Sequence, residues 1–227
     1  MNPKAEVFFE AFRDEIKDLK KFLFITRGVE ILENARERLE KTKNELGQLK
    51  QEMIQLQDED AANLILSLEH IASAIIEEFS IWIHLKKDNP NAAWDNLINA
   101  QNHATTAIQV HKVAEQFEIE NYINRLHTIE RVIFPPQVFV SAAMIVGRTT
   151  CSICGKDCDE CEHLPGKPYM GEICLSVVSK IISADHVAIV EHPADKRCRI
   201  LEFPNAHNMN RDMMTYRKAE VKPNNAG

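Results

Sequence analysis

The sequence predicts an α+β protein in which a long helical region precedes a smaller β-rich region. Residues 4 to about 133 carry apolar side chains at helical spacing and include only Gly28 and Gly47 as glycines. Pro135-Pro136 then ends any helix, since proline removes a backbone donor and restricts the residue before it. Beyond the prolines, apolar and polar residues alternate as in strands, and all six cysteines of the chain occur there. The predicted domains are therefore a helical bundle at 1–134 and a β-rich domain at 137–204, followed by a polar tail at 205–227.

A coiled-coil segment is predicted at 25–58. Its apolar and small residues recur at alternating spacings of three and four, which is the a/d pattern of a heptad repeat. They are Leu32, Ala35, Leu39, Thr42, Leu46, Leu49, Met53 and Leu56. Ala35 and Thr42 are weak residues for such a seam. We therefore interpret the segment first as one helix of an antiparallel hairpin within the chain, with an intermolecular coiled coil as the alternative.

Three further helices are expected before the prolines. The stretch from Leu64 to Leu85 has an apolar stripe so wide that the helix should be mostly buried. Asn89-Pro90 indicates a turn after it. A helix is expected to continue from there to Phe117, and a last one spans about 118–133.

Strands are expected at 137–146, 172–181, 185–192 and 198–203. The longest apolar run, 138–147, is far shorter than a membrane span and is typical of a buried strand. In the tail, Met209, Met213 and Met214 are candidate anchors.

Charge and cysteine content restrict the class of protein. The net charge is −7, and residues 137–227 hold 11 basic and 11 acidic residues, so the excess of negative charge lies in the first 136 residues. An acidic chain is a poor match to a generic binder of nucleic acid or of anionic membranes. The N-terminal residues, MNPKAEVFFEAF, lack the pattern of a signal peptide. Clustered cysteines without an export signal indicate a metal site in a reducing, cytoplasmic compartment rather than disulfides.

The segment CSICGKDCDECEHLPGK, residues 151–167, predicts that metal site. Cys151 and Cys154 flank a tight turn that can present two thiolates to one ion, and Gly155 permits the left-handed backbone such turns need. Cys161 and His163 are two residues apart, so both point to one side of an extended segment. The preferred ligands are Cys151, Cys154, Cys161 and His163, binding a structural Zn²⁺.

A rival set replaces His163 with Cys158. It leaves only three residues between the two cysteine pairs, which is cramped for tetrahedral zinc and loosely resembles iron–sulfur spacing. In the preferred set Cys158 is a loop thiol. Cys174 is then interpreted as a free buried cysteine, and Cys198, beside Lys196, Arg197 and Arg199, as a thiol whose pKa such neighbours would lower.

These residues also resemble a small zinc-binding module of uncharacterised bacterial and phage proteins, with the pattern CxxCG, CxH and PGKxYxG. In this sequence Gly155, Gly166, Lys167, Tyr169 and Gly171 match that pattern together with the four ligands, and Pro193-Ala194 follows a later strand. His192 stands where the module has asparagine. The resemblance covers about residues 151–200 and implies a zinc-stapled β-rich module without a named activity.

The favoured function is a non-enzymatic assembly or adaptor protein. Its partners would be another protein, a second copy bound through the helical region, or both, and no membrane. One alternative is nucleic-acid binding through a basic set, Lys156, Lys167, Lys196, Arg197 and Arg199. A second is a degenerate nuclease of the His-Asn-His type, with Asn205, His207 and Asn208 as its end. Histidines within the predicted helices are interpreted as structural: His70, His84, His103, His111 and His127.

Overall fold

The structure, a computed structural model, describes residues 2–204 and 209–219. Helices form its first part: α1 (Pro3–Lys20), α2 (Val29–Gln55), α3 (Glu59–Lys86), α4 (Pro90–Val110), a 3₁₀ helix (Lys112–Phe117) and α5 (Ile119–Ile133). Short strands follow: β1 (Phe139–Val146), β2 (Thr149–Cys151), β3 (Pro168–Tyr169), β4 (Glu172–Ile173), β5 (Ser176–Val178), β6 (Ile181–Val190), β7 (Glu202–Pro204) and β8 (Asn210–Asp212). The predicted α+β class is confirmed.

Local chemistry explains where three of the helices begin. Asn2, Asp58 and Asn89 each accept a hydrogen bond from a backbone N–H in the first turn of α1, α3 and α4. Such caps satisfy donors that a helix leaves unpaired. Pro90, predicted to mark a turn, is also the first residue of α4, where its missing N–H costs nothing. The helix predicted to run on to Phe117 instead ends at Val110, and the 3₁₀ helix takes over.

Helix α3 lies at the centre of the bundle and is buried on nearly all sides, as its wide apolar stripe predicts. It packs between α2 and α4, to which it is joined by short turns. The heptad seam of α2 is buried in the same apolar core at six positions: Leu32, Ala35, Leu39, Leu46, Leu49 and Met53. The seam is therefore used within the chain, as in the hairpin interpretation.

The predicted limits of the coiled-coil segment, 25–58, are wrong at both ends. Helix α2 begins only at Val29, and Ile25 is exposed in the turn before it. Leu56, the last residue of the seam pattern, is also exposed and follows the end of the helix. Thr42 is half-buried because its hydroxyl donates to Glu15 of α1 across 2.7 Å.

An ion pair joins a buried carboxylate of the helical core to a partly exposed arginine. The carboxylate of Glu78 is fully buried and lies 2.6 Å from the Arg125 guanidinium of α5. Burial raises the pKa of Glu78, and the nearby Arg125 charge opposes that rise. Arg125 also donates to the Leu23 carbonyl, so it links α5 to the segment after α1.

The strands form two-stranded antiparallel pairs instead of one larger sheet. Strand β1 pairs with β6, and β2 pairs with β5. Since β2 follows β1 and β5 precedes β6, residues 139–151 and 176–190 form one long β-ribbon. Gly147 donates to the Lys180 carbonyl at 2.8 Å and bridges the two parts. The prediction of a buried strand at 138–147 is wrong, since Met144, Ile145 and Val146 are exposed.

The β-ribbon is attached to the helical bundle at its two ends. At the near end, the Phe139 ring lies 6.2 Å from that of Trp94, and the Trp94 indole donates to the Lys196 carbonyl at 3.0 Å. At the far end, the chain continues into the cysteine-rich segment, which contacts the start of α3. The extended segment 139–151 and the 28-residue α3 are each about 42 Å long. The β-ribbon therefore matches the length of the bundle.

Residues 209–219 of the predicted polar tail are folded against the rest of the chain. Strand β8 pairs with β7, and Asp212 accepts a 2.8 Å hydrogen bond from Asn91 of α4. Met214 is buried in the helical core, as expected for one of the three candidate anchors, and Gln137 contacts its sulfur. Residues 205–208 and 220–227 of the tail lie outside the described residues.

Across residues 2–204 and 209–219, no helix is both long and apolar enough to cross a membrane.

Candidate metal centre

Cys151 and Cys154 flank a tight turn at the far end of the β-ribbon. Cys151 is the last residue of β2 and is buried, whereas Cys154 is exposed. The Gly155 N–H donates to the Cys151 carbonyl at 2.8 Å, and the Ile153 N–H points at the Cys151 sulfur at 3.4 Å. Gly155 has φ +71°, as the sequence predicts for this turn. The turn thus presents both sulfurs on one side.

Cys161 and His163 come from the loop that follows a short 3₁₀ helix at Cys158–Glu160. The Cys161 sulfur lies 3.3 Å from His163 Nδ1 and 3.2 Å from the His163 backbone nitrogen. Tyr169 holds this loop, because its hydroxyl accepts from the Leu164 N–H at 2.9 Å and its ring packs edge-on against His163 at 4.6 Å. The two residues therefore share one side, as their spacing predicts.

The structure brings all four predicted ligands together. The sulfurs of Cys151, Cys154 and Cys161 and one imidazole nitrogen of His163 lie within 4.8 Å of one another. The Cys154 and Cys161 sulfurs are 3.5 Å apart. Zinc bonds of about 2.3 Å to sulfur and 2.0 Å to nitrogen give edges of roughly 3.5–3.8 Å in a tetrahedral site with three sulfurs and one nitrogen. The donor set and its dimensions are compatible with a metal site of this kind.

Cys158 lies outside this group, and its sulfur contacts the Ser176 hydroxyl at 3.2 Å. Cys174 is buried, as expected, but its sulfur lies only 3.6 Å from that of Cys151. This neighbour was not foreseen from the sequence. It follows from the register of β2 and β5, which pairs Cys151 with Ser176 and so brings the chain just before β5 to the site.

The sulfurs of the site differ in their affinity for protons. Burial alone would raise the pKa of Cys151, but the backbone N–H groups of Cys154 and Ile153 and the Cys174 thiol outweigh it and lower that pKa to about 6. Burial and the neighbouring sulfurs raise the pKa of Cys161 and of Cys174 to about 11 each. Closely spaced thiols cannot all ionise without a cation, so a bound metal would have to displace protons here.

A hairpin of β3 and β4 anchors the site to the helical bundle. Met170 and Gly171 form its turn, with φ +46° and +77°. The Gly171 N–H donates to Asn63 of α3 at 2.8 Å, and the Met170 N–H donates to Glu59 at 3.3 Å. A Cβ added to Gly171 would lie 3.1 Å from the Lys50 side chain. The missing side chain and the positive φ of Gly171 both favour glycine where the turn approaches α2 and α3.

Three residues of the predicted basic set are engaged within the chain. Lys196 pairs with Glu130 of α5 at 2.8 Å, and Arg197 pairs with Asp195 at 2.6 Å. Arg199 is only 6% exposed and donates to Gln137 and Asn91. Lys156 and Lys167 are exposed. The Cys198 thiol, interpreted as activated by these neighbours, is exposed as well.

The proposed nuclease residues Asn205, His207 and Asn208 lie outside the described residues. Among the helical histidines, His70 of α3 and His103 of α4 form a pair with their Nδ1 atoms 3.0 Å apart.

Searches with this chain against protein-family models, curated proteins and solved structures find no match. The resemblance of residues 151–200 to a bacterial and phage module stays a prediction.

Proposed function

We propose that this protein is a non-enzymatic assembly or adaptor protein in which a structural zinc ion fixes the end of the β-ribbon. The ligands would be Cys151, Cys154, Cys161 and His163. The observation that carries the proposal is the position of these residues. They lie between the far end of the β-ribbon and the hairpin that docks on α3.

Four protein ligands complete the coordination of tetrahedral zinc, which leaves no open position for water or substrate. Such a site contributes folding free energy rather than catalysis. The thiolates must stay reduced to bind the metal, which supports the predicted cytoplasmic compartment.

The basic set argues against nucleic acid as the partner. Lys196, Arg197 and Arg199 are already paired or buried, so they cannot contribute phosphate contacts without breaking contacts within the chain. Binding of DNA or RNA that weakens steeply with salt would favour this alternative instead.

Metal content tests the zinc centre directly. We expect purified protein to contain about one zinc per chain, and His163→Ala or Cys161→Ala to lose it, because three ligands bind structural zinc weakly. Elemental analysis by mass spectrometry gives the ratio. A preparation with iron, or with no metal, would refute the assignment.

Two further cysteine variants serve as matched controls. Cys158→Ser and Cys174→Ser should each retain zinc, since Cys158 lies outside the group and Cys174 neighbours only one edge of it. Loss of zinc from Cys158→Ser would favour the rival set, in which Cys158 replaces His163, and loss from Cys174→Ser would place Cys174 among the ligands.

A further inference from the structure

The β-ribbon exposes an apolar face whose members follow from its register. Val140, Ala142, Met144 and Val146 alternate along β1 and therefore share one face of the strand. Their partners across the ladder are Ile189, Val187, Ala184 and Ile181, with shifts of register between Ala142 and Met144 and between Ile145 and Val146. We call these eight residues the apolar face. None of them carries a charge or a hydrogen-bonding side chain.

Solvent reaches most of this face. Ile189 is 74% exposed, Val187 70%, Ile181 56%, Met144 51% and Val146 41%. A two-stranded ribbon is at best marginally stable in water without further strands or a covering layer. Contiguous exposed apolar surface of this kind marks an interaction site. We therefore expect another protein surface to pack on this face of the β-ribbon.

Charge favours a second copy of this chain as the cover. The net charge of −7 resides in residues 1–136, whereas residues 137–227 are neutral overall. Two copies repel each other through their helical bundles but can meet without this cost through the apolar face. The titratable residues of β1 and β6 are Asp185 and His186, which lie at an irregularity in the ladder and contact each other at 3.1 Å.

Area and shape agree with this choice. Sheets pack face to face through interdigitating apolar side chains about 10 Å apart, and a two-fold axis lets one face serve both partners. The exposed side chains offer on the order of 600 Å² per copy, so a dimer would bury about 1,200 Å², the lower limit of stable interfaces. This area is sufficient for a dimer that dissociates on dilution.

We propose that two copies of this protein associate by packing their apolar faces against each other. The inference rests on the proposed function in one respect, which is that zinc holds the far end of the β-ribbon in place. The apolar face replaces the helical region as the expected site of self-association, because the heptad seam is buried within the chain.

Sedimentation or light scattering of the zinc-loaded full chain, from about 1 to about 300 μM, tests the proposal. We expect the mass to rise from one chain to two with concentration. The Val187→Lys/Ile189→Lys double variant should remain a single chain, with association weakened at least about tenfold, because lysines would be buried without partners.

A charge-matched control lies on the helical bundle. Val7 and Val132 are 73% and 77% exposed, so Val7→Lys/Val132→Lys adds the same charge at equally exposed positions. It should dimerise like the unmodified chain. Val187→Thr/Ile189→Thr keeps residue types that favour strands, and it should also weaken association. Weaker association of this variant would show that the loss of the dimer does not come from misfolding of the β-ribbon.

A zinc-loaded chain that stays monomeric at the highest concentration would overturn self-association and leave the zinc centre intact. A dimer unaffected by Val187→Lys/Ile189→Lys would overturn it as well. The protein could also be purified without zinc and still form a dimer that Val187→Lys/Ile189→Lys abolishes. That result would support the apolar face and refute the zinc centre.

Discussion

At the scale of single residues, the His70–His103 pair couples the stability of the helical bundle to pH. Burial, the neighbouring His103 and the charges of Lys50 and Lys43 lower the pKa of His70 to about 4. Burial and Lys43 lower the pKa of His103 as well. Glu69, beside this pair on α3, is already engaged by Lys50 at 2.5 Å. No carboxylate contact among the described residues compensates a charge on either imidazole.

The sign of this coupling follows from proton binding in the two states. Between pH 6.5 and about 4 the unfolded chain binds a proton at His70 that the folded chain does not. A depressed pKa thus contributes stability that is present above pH 6.5 and is lost as the pH falls. For His70 alone we expect the free energy of unfolding to drop by about 2 kcal/mol between pH 8 and pH 5.

His70→Gln isolates this contribution, because glutamine does not titrate and can still hydrogen-bond His103. Chemical denaturation of both proteins at pH 8 and pH 5 should show the smaller pH dependence for the variant. Zinc release in acid affects both proteins alike and cancels in the comparison. Equal pH dependences, or an imidazolium signal for His70 in NMR spectra at pH 5.5, would contradict the prediction.

At the scale of elements, the sequence predicted what depends on local spacing. The seam of α2 was identified because burial against α3 recurs every three and four residues. The Cys/His cluster was identified because each of its two pairs lies within three positions. The exposure of the β-ribbon was missed, since an apolar run has the same composition in a buried strand as in an exposed one. The contacts between Cys151 and Cys174 and between His70 and His103 join distant positions, so only register and helix packing determine them.

The hairpin turn at Gly171 tests how firmly the metal centre docks on the helices. Gly171→Ala imposes strain from the positive φ and also pushes a methyl group toward Lys50 of α2 and Ala62 of α3. We expect it to destabilise the docked hairpin by about 2–3 kcal/mol, compared with about 1 kcal/mol for strain alone. Hydrogen exchange of the Gly171-adjacent amides, with the overall free energy of unfolding, measures the loss.

Gly166→Ala is the matched control. Gly166 also has a positive φ, +83°, but no atom lies within 4 Å of an added Cβ. This variant therefore carries the backbone strain without the collision. If the two variants destabilised the hairpin equally, the close approach to α2 and α3 would not contribute to docking.

At the scale of the whole molecule, the core is unevenly distributed between the two parts of the chain. The main apolar cluster consists almost entirely of helical residues, with Met214 from the tail and Phe139 at its margin. In the cysteine-rich segment the buried residues are chiefly the thiols Cys151 and Cys174. The helical bundle has its own source of stability, whereas the far end of the β-ribbon has almost no apolar core.

Removal of the metal should therefore unfold the protein in parts. We expect a zinc chelator to leave at least about nine-tenths of the helical circular dichroism signal, because most buried apolar area stays in the bundle. Trypsin cleavage after Lys156 should increase at least about tenfold, since this lysine lies in the loop between Cys154 and Cys161 that a bound zinc would hold. Cleavage after Lys87, in the turn between α3 and α4, serves as the internal control and should not change. Restored protection on adding zinc would attribute the effect to the metal. Loss of the helical signal on chelation would instead show that the bundle depends on the zinc centre, and the division of stability argued from the apolar core would be wrong.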